Sequence, residues 1–429
     1  MPNPTVLQNV QIENGEVVDI SFSQDRITEI GKGLTGNLID CTGLIALPGF
    51  VDLHTHLREP GFEQSETVLT GSQAAALGGY TAVHAMANTS PVADTAGVVE
   101  QIASLGKEAG YVDVFPVGAV TVGLEGKHLA ELGTMATSRA RVRVFSDDGK
   151  CVHDPLIMRR ALEYVKSFGG VIAQHAQDPR LTEGAQMNEG SVSADLGLAG
   201  WPSVAEESII ARDVLLAEHV DSRLHVCHVS TAGSVAIIRW AKERGIKVTA
   251  EVTPHHLLLS DESARSYDPV FKVNPPLRTN ADVLALREAL IDGTIDIIAT
   301  DHAPHADESK DCEWATAAFG MLGLETAASI AQLVLVDSGA SNWKRLVEVL
   351  STNPALIAGD PDQGQTLEAG KIANLTLIDP KVKRVISRSS ASKSKNNPFA
   401  GMELPGQVMH TIFRGKFTVK NGSLVELGA

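Results

Sequence analysis

The stretch Leu47-Pro48-Gly49-Phe50-Val51-Asp52-Leu53-His54-Thr55-His56-Leu57-Arg58-Glu59-Pro60-Gly61 decides how this chain is read. Its apolar start has the composition of a short buried strand. Side chains at i and i+2 of a strand share a face, so His54 and His56 project side by side where the strand ends. Two imidazoles aimed at one point are the beginning of a metal site. Arg58 follows with a permanently charged fork that suits a carboxylate. A metal pair beside an anion clamp points to hydrolysis of a small acidic substrate.

Working outward, apolar runs alternate with helical patterns, the signature of repeated βα units. Strands are expected at Phe50–Leu53, Tyr80–Ala85, Val112–Val117, Val142–Phe145, Val171–Gln174, Arg223–Cys227, Lys247–Val252 and Ile295–Ala299. Amphipathic helices are expected over Pro155–Phe168, with Ile157, Met158, Ala161, Leu162 and Val165 on one side, and over Val204–Ala217. Eight strands with intervening helices suit a (β/α)8 TIM-like barrel over residues 47–360. An open doubly wound sheet is the alternative, but no G-x-G-x-x-G follows the first strand to support a dinucleotide site.

The two ends of the chain differ from this middle. Residues 1–46 read as short strands, with Val18, Ile20 and Phe22 alternating with Asp19 and Ser21. Residues 361–429 look similar, and Lys420-Asn421-Gly422-Ser423 is a hairpin signal. Both ends are expected to pair into one small β-sandwich domain. Within it, residues 387–406 are polar and aperiodic, and read as a surface excursion or a mobile segment.

Bulk composition narrows the function classes. The 429 residues are 43% apolar and 21% charged, ordinary for a globular protein. The net charge of −16 comes without a basic run, which argues against nucleic acid and against an anionic membrane surface. Four scattered cysteines, no secretory pattern and no membrane-length apolar run point to the cytoplasm.

Barrel enzymes carry their chemistry at the C-terminal ends of the strands. Read in turn, these ends hold His54 and His56, then Ser146-Asp147-Asp148-Gly149, then His175, His228 and Asp301. Four histidines and one or two aspartates on one rim are enough for two divalent ions sharing a bridge.

Together with these residues, Asp52 to Gly61 and Ala299 to Lys310 resemble the two signature motifs of dihydroorotases, within the amidohydrolase superfamily. Met86-Ala87-Asn88-Thr89, Ser146 to Gly149, Cys227 to Thr231, Glu251 to His256 and Asn274 to Arg278 are similar to further family motifs. The overall pattern resembles the long bacterial (class I) type. The resemblance implies reversible cyclisation of N-carbamoyl-L-aspartate to L-dihydroorotate in pyrimidine biosynthesis. It also implies two Zn2+ ions per subunit, with His54, His56, His175, His228 and Asp301 at ligand positions and Asp148 at a bridging position. Many relatives bridge with a carbamylated lysine instead. Strand four has none, and Lys150 reads as an ordinary loop lysine. The resemblance assigns proton transfer to Asp301. It assigns the substrate carboxylate to Arg58, Asn88 and His305, with His56 beside it. The pyrimidine ring falls to Asn274 and the backbone around Phe319-Gly320.

Two departures from the family pattern are Ala87, where proline is usual, and Gln177, where an acid is common; neither is expected to touch a metal ligand. Residues 306–318 read either as a solvated loop or as a lid over substrate. Rival readings are a hydantoinase, dihydropyrimidinase or allantoinase, disfavoured by Arg58 and the lysine-free strand. A non-catalytic dihydroorotase-like scaffold for aspartate transcarbamoylase is disfavoured by the full ligand set. A homodimer and an association with that transcarbamoylase stay open.

Overall fold

The computed structural model describes residues 3–427. Eight parallel strands form its centre: Phe50–Thr55 (β1), Tyr80–Ala85 (β2), Asp113–Pro116 (β3), Val144–Phe145 (β4), Val171–Gln174 (β5), Leu224–Val226 (β6), Val248–Val252 (β7) and Ile297–Ile298 (β8). β1, β2 and β3 make one sheet, and β4 to β8 make another in sequential order. Single parallel bridges join the two sheets at both edges, Gly118 to Phe145 and Thr55 to His302. At the second junction the His56 amide donates to the His302 carbonyl at 2.8 Å.

All eight expected strands are present, and most are trimmed at one or both ends. β4 keeps only Val144 and Phe145, because the Val142 amide bonds back to the Met135 carbonyl instead of extending the ladder. The helix expected from Pro155 ends at Lys166, and the next runs Val204–Val220. The first is set by Pro155 at its opening turn and by Asp154, whose Oδ1 accepts from the amides of Leu156 and Ile157, a cap worth about 1 kcal/mol. Its Met158, Ala161, Leu162 and Val165 are buried, which uses the apolar stripe read from the sequence.

The inward residues of the parallel strands, among them Val51, Leu53, Ala82, Val144, Ala173 and Ile297, pack with Ala355, Ile357 and Ala358. Those last three belong to the helix Asn353–Ala358, which covers the N-terminal ends of the strands. Its Asn353 side chain donates to the Asp296 carbonyl, and Arg223 donates to the Ile357 carbonyl.

Strands from both chain ends make a single nine-stranded sheet, in which Ile45–Pro48 pairs antiparallel with Leu375–Ile378. The sheet rolls over its own apolar face: the Phe22 and Phe417 rings, from strands far apart in the order, lie 6.3 Å apart. The expected hairpin is present, with Asn421 at φ 51° and Gly422 at φ 72° between Lys416–Lys420 and Ser423–Leu424, the positive angles that a two-residue primed turn requires.

One expectation is revised. Of the polar segment 387–406, Ser387, Arg388 and Ser389 are exposed, but the middle packs down against the rest of the chain. Ser392, Ser394, Asn396, Asn397 and Phe399 are buried, and from Glu403 the chain is already strand. The segment docks on the rim formed by the C-terminal ends of the parallel strands. The Lys393 amide and the Ser392 hydroxyl donate to Glu66, and the Ser394 hydroxyl donates to the Ser65 carbonyl. Ser392 and Ser394 meet partners more than three hundred positions away, so no local pattern announces them. Among the described residues, no helix is long and apolar enough to cross a membrane.

Candidate metal centre

Strand alternation delivers His54 and His56 from the end of β1 to one face, as their spacing requires. His54 Nε2 lies 3.4 Å from Asp148 Oδ2 and 3.5 Å from Asp301 Oδ1. His56 Nε2 lies 3.3 Å and 3.1 Å from the same two atoms. The other carboxylate oxygen of Asp148 faces a second pair: Oδ1 is 3.0 Å from His175 Nδ1 and 3.1 Å from His228 Nε2. Of the three potential metal-binding groups among the described residues, two, His54-His56-Asp148-Asp301 and Asp148-His175-His228, share Asp148. All six side chains are buried.

The backbone is bent to make this arrangement. His228 and Asp301 adopt φ of 32° and 45°, and Arg58 adopts 63°. Such angles are costly for residues with a side chain and tend to gather at functional sites.

Three of the four remaining ring nitrogens are committed to oxygen partners. His54 Nδ1 meets Glu251 Oε1 at 2.6 Å, His56 Nδ1 meets Asn88 Oδ1 at 2.9 Å, and His175 Nε2 meets Gln177 Oε1 at 2.7 Å. Each of these contacts needs an N–H on that nitrogen, so the other nitrogen of each ring presents a lone pair to the cluster. His54 Nε2 is buried with no hydrogen-bond partner. An orphaned imidazole nitrogen beside two carboxylates is the arrangement a cation satisfies, and the nitrogen and oxygen donor set fits zinc.

Without a cation the cluster takes up protons instead: burial lowers the pKa of His54, His56 and His175, but the facing acids outweigh it and raise all three. Burial alone would raise the Asp148 carboxyl, but His54 and His175 outweigh it and hold the group well below the usual carboxylate range. Asp301 is likewise raised by burial and lowered more strongly by His54 and His56, to about 2. Both acids are therefore ionised at neutral pH, ready to ligate.

A cavity of about 350 Å³ opens above the cluster, lined by His56, Asp148, His175 and Asp301 together with every residue expected at the substrate: Arg58, Asn88, Asn274, His305, Phe319 and Gly320. The Arg58 Nε donates to the Pro304 carbonyl at 3.0 Å, which fixes its guanidinium. Burial lowers the Arg58 pKa to about 10, so the group stays charged at neutral pH. Burial, then the charge of Arg58, push His305 down to about 3, so it is neutral. Its Nε2 donates to the Phe319 carbonyl at 2.8 Å. At Gly320 the chain runs at φ 150° against His305 and Ala303, and an added Cβ would sit 2.8 Å from His305 Nε2. Only glycine allows that approach.

Several contributors escaped sequence reading. Gln177, expected to touch no ligand, bonds His175 and also accepts from Asn274 Nδ2 at 3.1 Å. Glu251 holds His54 with one oxygen and His225 with the other, at 2.9 Å. Its position one residue before the end of β7 was the available signal. Asp52 accepts from the amides of His54 and Thr300. Asp147 ligates nothing; it accepts from the amides of Val120 and Thr121. Lys150 lines the cavity, but Asp148 stands between the two histidine pairs. Asn396, from the docked segment, donates to the carbonyls of Ala303 and Gly320 and so steadies the wall that carries His305.

Residues 43–234 match the family model described as Dihydro-orotase-like. The chain is 63% identical over 424 residues to the dihydroorotase of Streptomyces coelicolor, covering 98% of this chain and 99% of that one. The chain belongs to the dihydroorotase family. The dihydroorotases of Leifsonia xyli subsp. xyli and Mycobacterium tuberculosis are 64% and 56% identical to it, over 98% and 96% of this chain and 97% and 96% of their own lengths. Among solved structures, the L-hydantoinase (dihydropyrimidinase) of Arthrobacter aurescens superposes with a TM-score of 0.87 at 25% identity, covering 99% of this chain and 98% of that one. The dihydropyrimidinase of Brevibacillus agri superposes at 0.84 and 24% identity, covering 98% and 96%. Dihydroorotases thus share their fold with other cyclic amide hydrolases, and the much higher identities separate this chain from the hydantoinase branch.

Proposed function

We propose that this chain is a dihydroorotase that interconverts N-carbamoyl-L-aspartate and L-dihydroorotate at two divalent ions, at one mouth of a (β/α)8 barrel. The bridges at both sheet edges support the closed barrel over residues 47–360. The shared nine-stranded sheet supports a composite β domain of residues 1–46 and 361–429 beside it. The observation that carries the active-site reading is Asp148, whose two oxygens face two separate histidine pairs. A scaffold without catalysis has no use for such a bridge.

Held by those ligands, zinc ions supply Lewis acidity and lower the pKa of water from about 15.7 to about 7. The chain's own residues do the rest. Arg58 binds the substrate carboxylate as a charged fork, flanked by Asn88 and neutral His305. Asn274 and the backbone at Phe319-Gly320 meet the ring and fix its face. Asp301 turns Oδ1 toward His54 and His56, which leaves Oδ2 to move the proton. In the ring-opening direction, water oxygen adds to the ring carbonyl carbon and the carbon–nitrogen bond breaks. The proton removed from water passes by way of Asp301 to the departing ring nitrogen. Ring closure runs the same path backwards.

The test is turnover of L-dihydroorotate beside hydantoin, dihydrouracil and allantoin, with metal analysis of the same sample. Dihydroorotate is expected to be the preferred substrate, with two ions per chain. Preferential opening of hydantoin or dihydrouracil would reject the substrate assignment, and a fully active enzyme with one ion would reject the bridge.

A further inference from the structure

The opposite end of the parallel strands carries a second cavity, of about 380 Å³, which the catalytic reading does not use. Its inner wall is His84 and Phe115, whose rings lie 5.2 Å apart at 32°. Its floor is the turn that follows the helix Asn353–Ala358, and its rim is Arg139, Arg141, Arg143 and Arg414. Four guanidinium groups around one opening stand out in a chain of net charge −16.

The acids at the cavity are already committed. Asp360 pairs with His84 at 2.8 Å, and Asp362 pairs with Arg414 at 3.4 Å. Arg414 is further held by Asp113 at 2.9 Å. Among the described residues, Arg139, Arg141 and Arg143 have no carboxylate within ion-pair distance. Arg143 is fixed at the rim by donating to the carbonyls of Ala136 and Val142. Three uncompensated guanidinium forks suit the oxygens of a phosphate, and the partly exposed Phe115 ring offers a planar apolar face beside them. The volume falls in the range of small-ligand sites.

We infer that this cavity is a second, non-catalytic site that takes a small phosphate-bearing ligand with a planar ring, of the nucleoside monophosphate class. The anion meets the Arg139–Arg143 rim while the ring enters against Phe115. Because the cavity abuts the N-terminal start of β4, its occupancy bears on the strand that leads to Asp148.

Equilibrium dialysis of the zinc-loaded full chain tests this, with the catalytic cavity kept full by an equilibrated mixture of dihydroorotate and carbamoyl aspartate. The probes are uridine 5′-monophosphate, adenosine 5′-monophosphate, inorganic phosphate and malonate. One nucleotide per chain is expected to bind saturably, more tightly than phosphate alone, and to weaken with added salt. Arg139→Ala/Arg141→Ala should weaken it at least tenfold while turnover stays at the wild-type rate, since both side chains are exposed and make no hydrogen bond. The inference falls if no phosphate probe binds saturably, if the double variant binds as well as the wild type, or if malonate binds in preference to every phosphate.

Discussion

At the residue scale, three of the four clustered histidines are held by an oxygen behind the ring. Gln177 is the sharpest case, because one carbonyl oxygen steadies both His175 and Asn274. Gln177→Ala should weaken metal affinity by about 10- to 100-fold, the usual effect of removing a partner behind a ligand, and should also raise KM. Gln177→Glu keeps the acceptor and should restore the metal affinity. Metal titration with steady-state kinetics checks both, and an alanine variant with normal affinity would make Gln177 a bystander. Asp301→Asn should lower kcat by about 10²- to 10⁴-fold while the protein retains most of its metal; near-normal turnover would remove Asp301 from proton transfer. Arg58→Ala should act mainly on KM, and an unchanged KM would refute the carboxylate clamp. The gathering of His54, His56, Asp148, His175, His228 and Asp301 was legible because strand period and strand ends are local features. Gln177 stands only two positions from His175, but past the strand end no period fixes where its side chain points, and its contact with Asn274 spans 97 positions.

At the scale of elements, the segment 306–318 is bonded to the stretch 269–272. Its short helix Asp307–Lys310 is tied down by Lys310, whose Nζ donates to the carbonyls of Pro269 and Lys272. Lys272 returns the contact through its own Nζ to the Trp314 carbonyl at 2.7 Å. A swinging lid would have to break these bonds. Burial, then the neighbouring charge of Lys272, lower the Lys310 pKa to about 7. The unfolded chain therefore holds a proton here between about pH 7 and the ordinary lysine value that the folded chain does not. Stability from this group is lowest below pH 7 and rises above it, by about 1.4 kcal/mol per pH unit. Lys310→Met should lack that rise, so its stability relative to wild type should worsen from pH 7 to pH 10. Parallel denaturation curves check this, and a pH-independent difference would place the Lys310 pKa outside that window. The same scale explains the misread segment 387–406. Serine and asparagine in a row look solvated until Glu66 and the 303–320 wall supply their partners.

At the scale of the whole molecule, the expected division into a parallel-stranded middle and paired chain ends was legible, because alternation of strand and helix persists over hundreds of residues. The rolling of the terminal strands into one sheet was not, since strand order depends on long-range pairing. The buried cluster also links metal to stability. Without cations, Asp148, Asp301 and Glu251 face their histidines with one imidazole nitrogen unsatisfied. Ligands that bind only the folded state stabilise it by about 4 kcal/mol at a thousandfold excess over Kd. Removal of metal by a strong chelator should therefore lower the thermal midpoint by several degrees, reversibly on adding zinc. A calorimetric scan checks this, and an unchanged midpoint would mean that the apo cluster is already satisfied.

The pairing of Ile45–Pro48 with Leu375–Ile378 has a consequence during synthesis. The second segment leaves the ribosome about 330 residues after the first, a delay of tens of seconds at ordinary elongation rates. Throughout that interval one margin of the amino-terminal strands stays open to passing polypeptides. Nascent chains stalled before Leu375 should accordingly be captured by holdases and degraded, and a premature stop anywhere upstream should cost the cell the entire product, catalytic half included.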